Sequence, residues 1–210
     1  MRFALRMGGG YWTDEELFAK LSVLIDSIQS PFCVQAITIS MHSPFDLQSN
    51  DYQFSLPEDV PLLLKKYVNC VHYTDSCLGV FLNEYNKISL EQLDLIITSD
   101  HTVFKDELLN DFKDVNRKLG WAIPEDMSYC PLIINSPKIK ENRSYDISAY
   151  QMDIYPTIQS LIGDTTYVWK GLGENLLDST YIDNRKTDES NLYQLSNRII
   201  RNNTLSRYIE

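Results

Sequence analysis

Apolar and polar positions alternate along this chain with two different periods. Thr13 followed by Glu16 forms a capping box, in which a hydroxyl and a carboxylate each satisfy one orphan backbone N–H at a helix start. Behind it Leu17, Leu21, Leu24, Ile25 and Ile28 recur at helical spacing, which predicts a helix that stops before Pro31. Cys33–Ser40 is short and rich in apolar and β-branched residues, so it predicts a buried strand. That strand runs into a loop over Met41, His42, Ser43, Pro44 and Phe45. A wide stripe of Leu63, Leu64, Tyr67, Val68, Val71, Leu78, Phe81 and Leu82 predicts a long helix from Val60 to Tyr85, packed on a sheet. Leu93–Thr98 and Leu132–Ile134 are expected as two further buried strands. Residues 146–163 read as a helix opened by Asp146 or Ser148 and stopped by Gly163, with Pro156 imposing a kink or a later start. A last helix is expected over Leu192–Ile200.

Helices alternating with short apolar strands predict an α/β fold with a largely parallel sheet. In such sheets functional groups gather in the crevice beyond the carboxyl ends of the strands. His42 follows one strand and Asp100-His101 follows another, which predicts that they share a site.

Composition narrows the function. With 210 residues, 43% apolar and 23% charged, the chain can bury the core of one folded domain. Its formal net charge of −10 and scattered basic residues exclude a nucleic-acid partner, because phosphate binding needs clustered Lys and Arg. The cysteines at 33, 70, 77 and 130 form no CxxC pair and read as small buried hydrophobes. No run approaches the ~18 apolar residues of a membrane span, and Arg2 and Arg6 break the N-terminal segment, so no signal or transmembrane segment is read.

Three histidines are available for chemistry. A carboxylate beside a neutral imidazole, as at Asp100 and His101, suits Mn, Zn or Mg ions, although two ligands fall short of a full site. On residue type alone such a pair in a loop is more often a turn or cap than a metal site. His42, fixed in its loop by Pro44, could hydrogen-bond a phosphate oxygen or protonate a leaving alkoxide, or act only locally. His72 lies mid-helix and reads as packing or solvent-facing.

Several segments, in order, resemble the C-terminal half of the sulfatase-like domain of lipoteichoic acid synthases, in the alkaline phosphatase superfamily. Ser99-Asp100-His101-Thr102 is similar to the family's Gly-Asp-His motif after a strand. Residues 37–45, Ile-Thr-Ile-Ser-Met-His-Ser-Pro-Phe, resemble its Thr-Leu-x-Asn-His-x-Pro-Phe segment. Tyr73-Thr74-Asp75 through Gly79 looks like its Tyr-x-Asp-x-x-Ile-Gly helix, and Pro131 to Ile134 like its Pro-Leu-Ile-Ile strand. Gln151 through Gly163 is similar to Gln-x-Asp-x-x-Pro-Thr followed by Leu-x-Gly, and Gly171-Leu172-Gly173 to a late Gly-Leu-Gly.

The resemblance implies part of an α/β/α sandwich and a metal-dependent enzyme. It assigns metal binding to Asp100 and His101 and contact with the transferred phosphate or sulfate group to His42. The ion would be divalent, manganese first, with zinc, magnesium or calcium as the other candidates. The family's reaction moves phosphoglycerol from a phospholipid headgroup through a covalent phospho-threonine. The nucleophile and the first acidic ligand have no counterpart here and are expected in an upstream N-terminal half, together with a membrane anchor. That arrangement puts the site on the extracytoplasmic face of the bacterial membrane, reached by way of the parent protein. Residues 1–11 would be a lead-in, 12–178 the core of the match and 179–210 a C-terminal extension. Two departures bear on the substrate: Ser99 replaces the family's Gly, and Trp12 is shifted from its substrate-contacting Trp. Phosphoglycerol or phosphoethanolamine transfer thus competes with sulfate-ester hydrolysis. The alternative is a non-catalytic half-domain with a weak metal or anion site.

Overall fold

The computed structural model describes residues 2–4, 12–47, 54–88, 93–102, 130–145, 149–163, 168–169, 171–178 and 194. The chain divides into two compact units, Met1–Ile134 and Asn135–Glu210.

In the first unit, strand β1 (Arg2–Ala4) lies within the stretch read from the sequence as a lead-in. It pairs in parallel with β2 (Cys33–Gln35), Arg2 opposite Cys33 and Ala4 opposite Gln35. Helix α1 (Asp14–Ser27) begins at the expected capping box: Thr13 N–H donates to Glu16 Oε2 at 3.0 Å and Glu16 N–H to Thr13 Oγ1 at 3.2 Å. Helix α2 (Leu62–Ile88) starts just after Pro61, whose missing N–H costs nothing at a helix entrance. Its stripe packs on two sides. Phe18 of α1 stacks on Phe81 with ring centroids 5.3 Å apart, in a cluster with Leu21, Ile25, Leu78 and Leu82. Nearer its start, Leu64 and Cys70 close over Phe45 and Val60, and Tyr67 meets the Phe45 ring edge-on at 5.4 Å. Strands β3 (Leu95–Thr98) and β4 (Leu132–Asn135) make a second two-stranded sheet.

The second unit holds a 3-10 turn (Gln151–Asp153) running into α3 (Ile154–Ile162). Pro156 sits in the first helical turn, where its lack of an N–H is harmless, so it starts the helix late and does not kink it. Gly163 ends the helix with φ 72°, the left-handed conformation that glycine takes at least cost.

Helices and strands alternate as an α/β chain should. The described strands form two separate pairs, however, in place of one large, largely parallel sheet. The strand expected over Cys33–Ser40 ends at Gln35. The amides of Ile39 and Ser40, which a longer strand would offer to a neighbour, are taken by the Asp14 carboxylate. Asp146, Ser148 and, apart from Gln194, the expected helix over 192–200 lie outside the described residues. Among the described residues no helix is long and apolar enough to cross a membrane.

The fully buried Cys70 carries a measurable consequence. Burial pushes its thiol from 9.0 up to about 11, with the carboxylates of Asp14 and Asp46 adding and Lys66 opposing. A raised folded-state pKa means the neutral thiol is favoured. The stability tied to it is therefore complete below about pH 9 and lost between 9 and 11. Two pKa units correspond to about 2–3 kcal/mol. Urea midpoints measured from pH 8 to 11 should fall more steeply for the wild type than for Cys70→Ala. Parallel curves would show that this thiol does not shape the alkaline transition.

Candidate functional site

Asp100 and His101 leave the carboxyl end of β3, one residue past Ser99. The Asp100 carboxylate accepts the backbone N–H of His101 at 2.9 Å, which turns it back over its neighbour. The His101 ring Nδ1 lies 2.8 Å from the carbonyl oxygen of Thr102. A carbonyl only accepts, so Nδ1 carries a proton, and in the neutral ring Nε2 is then the nitrogen with the lone pair. Nε2 stands 3.8 Å from Asp100 Oδ1. Both side chains are open to solvent, 81% for Asp100 and 53% for His101.

These donors suit a divalent ion. One is a carboxylate, the other an imidazole in the tautomer that can ligate, and bonds of about 2.0–2.2 Å from each can bridge 3.8 Å. The Thr102 carbonyl plays the orienting part that metal-binding histidines commonly receive on their second nitrogen. Among the described residues no group of three or more His, Cys, Asp or Glu is arranged to hold a metal ion. The pair could supply at most two ligands of a set that needs about four.

His42 sits on the loop between β2 and α2 and uses the same device. Its Nδ1 lies 2.7 Å from the carbonyl of Ser43, so Nδ1 is the donor there and Nε2 is the nitrogen left to act elsewhere. The loop is a tight double turn: His42 N–H donates to Ile39 O at 2.9 Å and Phe45 N–H to His42 O at 3.0 Å. Phe45 takes φ 59°, a strained value for an aromatic residue, and its ring is held in the α2 cluster. An open groove of about 560 Å³ lies beyond Phe45, lined by Asp46, Phe54, Leu62, Lys65 and Lys66. None of the three site residues lines it. His72 is exposed beside the Phe54 ring, as a mid-helix surface residue should be.

Sequence reasoning passed over three polar side chains that organise these segments. Asp14 is completely buried although it opens a helix, where an acidic residue normally faces water. Asp153 is buried as well, accepting from Tyr150 N–H at 2.8 Å and from Glu174 N–H at 2.8 Å. Thr157 donates to Asp153 O and accepts from Leu176 N–H at 3.0 Å. Thus the Asp and Thr of one motif hold the chain directly after the Gly-Leu-Gly of another. Their joint appearance in the sequence was the only available signal. Trp12, the shifted tryptophan, is half-buried with Lys20 Nζ 4.4 Å above its ring.

Comparison with known proteins agrees with these segments. Residues 4–164 match the family described as Sulfatase. Lipoteichoic acid synthase 2 of Bacillus subtilis (strain 168) is 25% identical over 174 residues, covering 80% of this chain. The chain spans about a quarter of the length of the curated relatives it matches. The crystal structure of the lipoteichoic acid synthase LtaP from Listeria monocytogenes superposes with a TM-score of 0.62 at 28% identity, over 75% of this chain and 41% of that one. A protein of the alkaline phosphatase superfamily from Vibrio parahaemolyticus shares the fold, with a TM-score of 0.51 at 24% identity over 77% of this chain and 36% of that one. With its motifs in family order and more than half its length inside the family match, the chain belongs to the sulfatase family.

Proposed function

We propose that this chain is part of a cell-envelope phospho-alcohol transferase, of phosphoglycerol or phosphoethanolamine type, working outside the cytoplasmic membrane. Its share of the site is two metal ligands, Asp100 and His101, and one contact to the transferred group, His42. The nucleophile and the remaining ligands come from polypeptide beyond these 210 residues. In the complete domain the short strands described above would join one larger, mainly parallel sheet. The chain by itself then has no turnover.

The observation that carries this reading is the ligand-ready pair, with Nε2 of His101 3.8 Å from the Asp100 carboxylate and Nδ1 held by the Thr102 carbonyl. When bound, a divalent ion, manganese first, would neutralise charge on the phosphoryl group and lower the pKa of the attacking hydroxyl. Asp100 contributes negative charge to hold that ion, and the Thr102 carbonyl keeps the His101 ring turned towards it. His42 stands on a stiff loop, and once protonated at Nε2 it can pass that proton to the departing alcohol or donate a hydrogen bond to a phosphate oxygen. In the reaction a nucleophile oxygen joins phosphorus, the bond to the diacylglycerol oxygen breaks, and diacylglycerol leaves as the protonated alcohol.

The test uses the intact protein containing this chain with Mn²⁺. It compares diacylglycerol release from phosphatidylglycerol or phosphatidylethanolamine vesicles with hydrolysis of an aryl sulfate. Headgroup release is expected to dominate. Aryl sulfate turnover without headgroup release would overturn the transferase reading in favour of a hydrolase.

A further inference from the structure

The loop that carries His42 is gripped from beneath by a residue far away in sequence. Asp14, at the first turn of α1, is wholly buried, and each oxygen of its carboxylate is engaged. Oδ1 accepts the backbone N–H of Ile39 at 3.0 Å and that of Ser40 at 3.2 Å. Oδ2 accepts the hydroxyl of Thr74, on α2, at 2.6 Å. Ile39 in turn offers its carbonyl to His42 N–H, so a single hydrogen bond separates the gripped amides from the histidine backbone. At the other end of the loop Phe45 is anchored in the α2 cluster. Beside Thr74, the buried Tyr73 phenol is pushed up by burial, while hydrogen bonds with the Thr13 side chain and the Glu15 backbone pull the other way. Adjacent residues of α2 thus clamp the start of α1, where Asp14 sits.

We infer that Asp14 is a positioning residue for His42: its carboxylate fixes the 39–40 backbone against α1 and α2, and so sets where the imidazole stands. The inference rests on the reading of His42 as a contact to the transferred group. The carboxylate has the right form for the task. It accepts only, and it meets three donors that burial would otherwise leave unpaired. Charge-assisted hydrogen bonds to backbone N–H groups are about twice as strong as neutral ones. Two of them on a buried carboxylate, itself tied to α2 by the Thr74 hydroxyl, hold a loop that pairs with no strand among the described residues.

Three variants of the intact protein test this. Asp14→Ala removes all three acceptor contacts. Asp14→Asn keeps an oxygen for Ile39 and Ser40 and an N–H for Thr74 Oγ1. Thr74→Val removes the third donor without touching the loop. In Asp14→Ala, hydrogen exchange over the 36–45 peptide should rise and turnover should fall roughly tenfold to a hundredfold, the cost of displacing a group by about 1 Å. Asp14→Asn should restore most of both, and Thr74→Val should fall between. In a His42→Ala background, Asp14→Ala should cause little further loss, because the group it positions is gone. A purely structural Asp14 would cost the same in both backgrounds, and that outcome, or unchanged exchange over 36–45 in Asp14→Ala, overturns the inference. Full activity in His42→Ala would instead defeat the functional reading of His42, while the exchange data would still decide whether Asp14 holds the loop.

Discussion

Replacing either Asp100 or His101 by alanine in the intact protein is expected to lower turnover by about a thousandfold or more, with almost no loss of folding. The two halves of this expectation have separate causes. Both side chains are exposed and lie after the end of β3, so their removal empties no core. Surface substitutions of this kind stay within about 0.5 kcal/mol, or a shift of about 1–2 °C in Tm for a protein of this size. The functional loss follows from charge if, as proposed, the pair holds the ion. An ion that supplies several kcal/mol of stabilisation to the transition state cannot do so once it has lost a ligand. About 4 kcal/mol is a factor of about a thousand. Metal content after desalting should fall in step with activity. Wild-type turnover in both variants would remove the pair from the mechanism.

The largest stability effect is expected at Gly173, in the second unit. A Cβ built there would meet the backbone carbonyl oxygen of Met152 at 1.8 Å, and neither side of that contact is a flexible side chain. The segment cannot simply move away. Glu174 N–H is bound to Asp153, Trp169 Nε1 donates to Gly173 O at 2.7 Å, and Leu176 N–H is bound to Thr157. Gly173→Ala should therefore break the docking of residues 171–178 on α3, costing about 3 kcal/mol, at the upper end of the usual range for overpacking. Limited proteolysis should cut that segment readily in the variant, while α1 and α2 keep wild-type exchange protection. A variant as resistant as the wild type would mean that the backbone yields without penalty.

Much of this fold could be read from the sequence because its signals are local. The capping box of Thr13 and Glu16, the stripe along α2 and the Gly163 stop each depend on neighbours within a few residues. The position of Asp100 and His101 just past a strand was legible for the same reason, since they directly follow an apolar run. What escaped was polar and long-range. Asp14 looks like any acidic residue at a helix start, and its burial depends on partners 25, 26 and 60 residues away. The strand expected to reach Ser40 failed for the same cause, since composition says nothing about a distant carboxylate that competes for its amides. Likewise, Gln151–Gly163 and Gly171–Gly173 stand out as separate motifs, and only the structure shows that Asp153 and Thr157 join them.

The span of the Asp14 contacts also bears on the order in which the molecule takes shape. On a growing chain, α1 and residues 39–40 emerge well before Thr74, so the carboxylate gains its last donor only after the first half of α2 has been synthesised. Contacts of such separation are slow to form, because the intervening chain must be closed into a loop first. The loop carrying His42 therefore matures late, when α2 docks, and a ribosome-bound chain ending before residue 74 would carry it in an immature form.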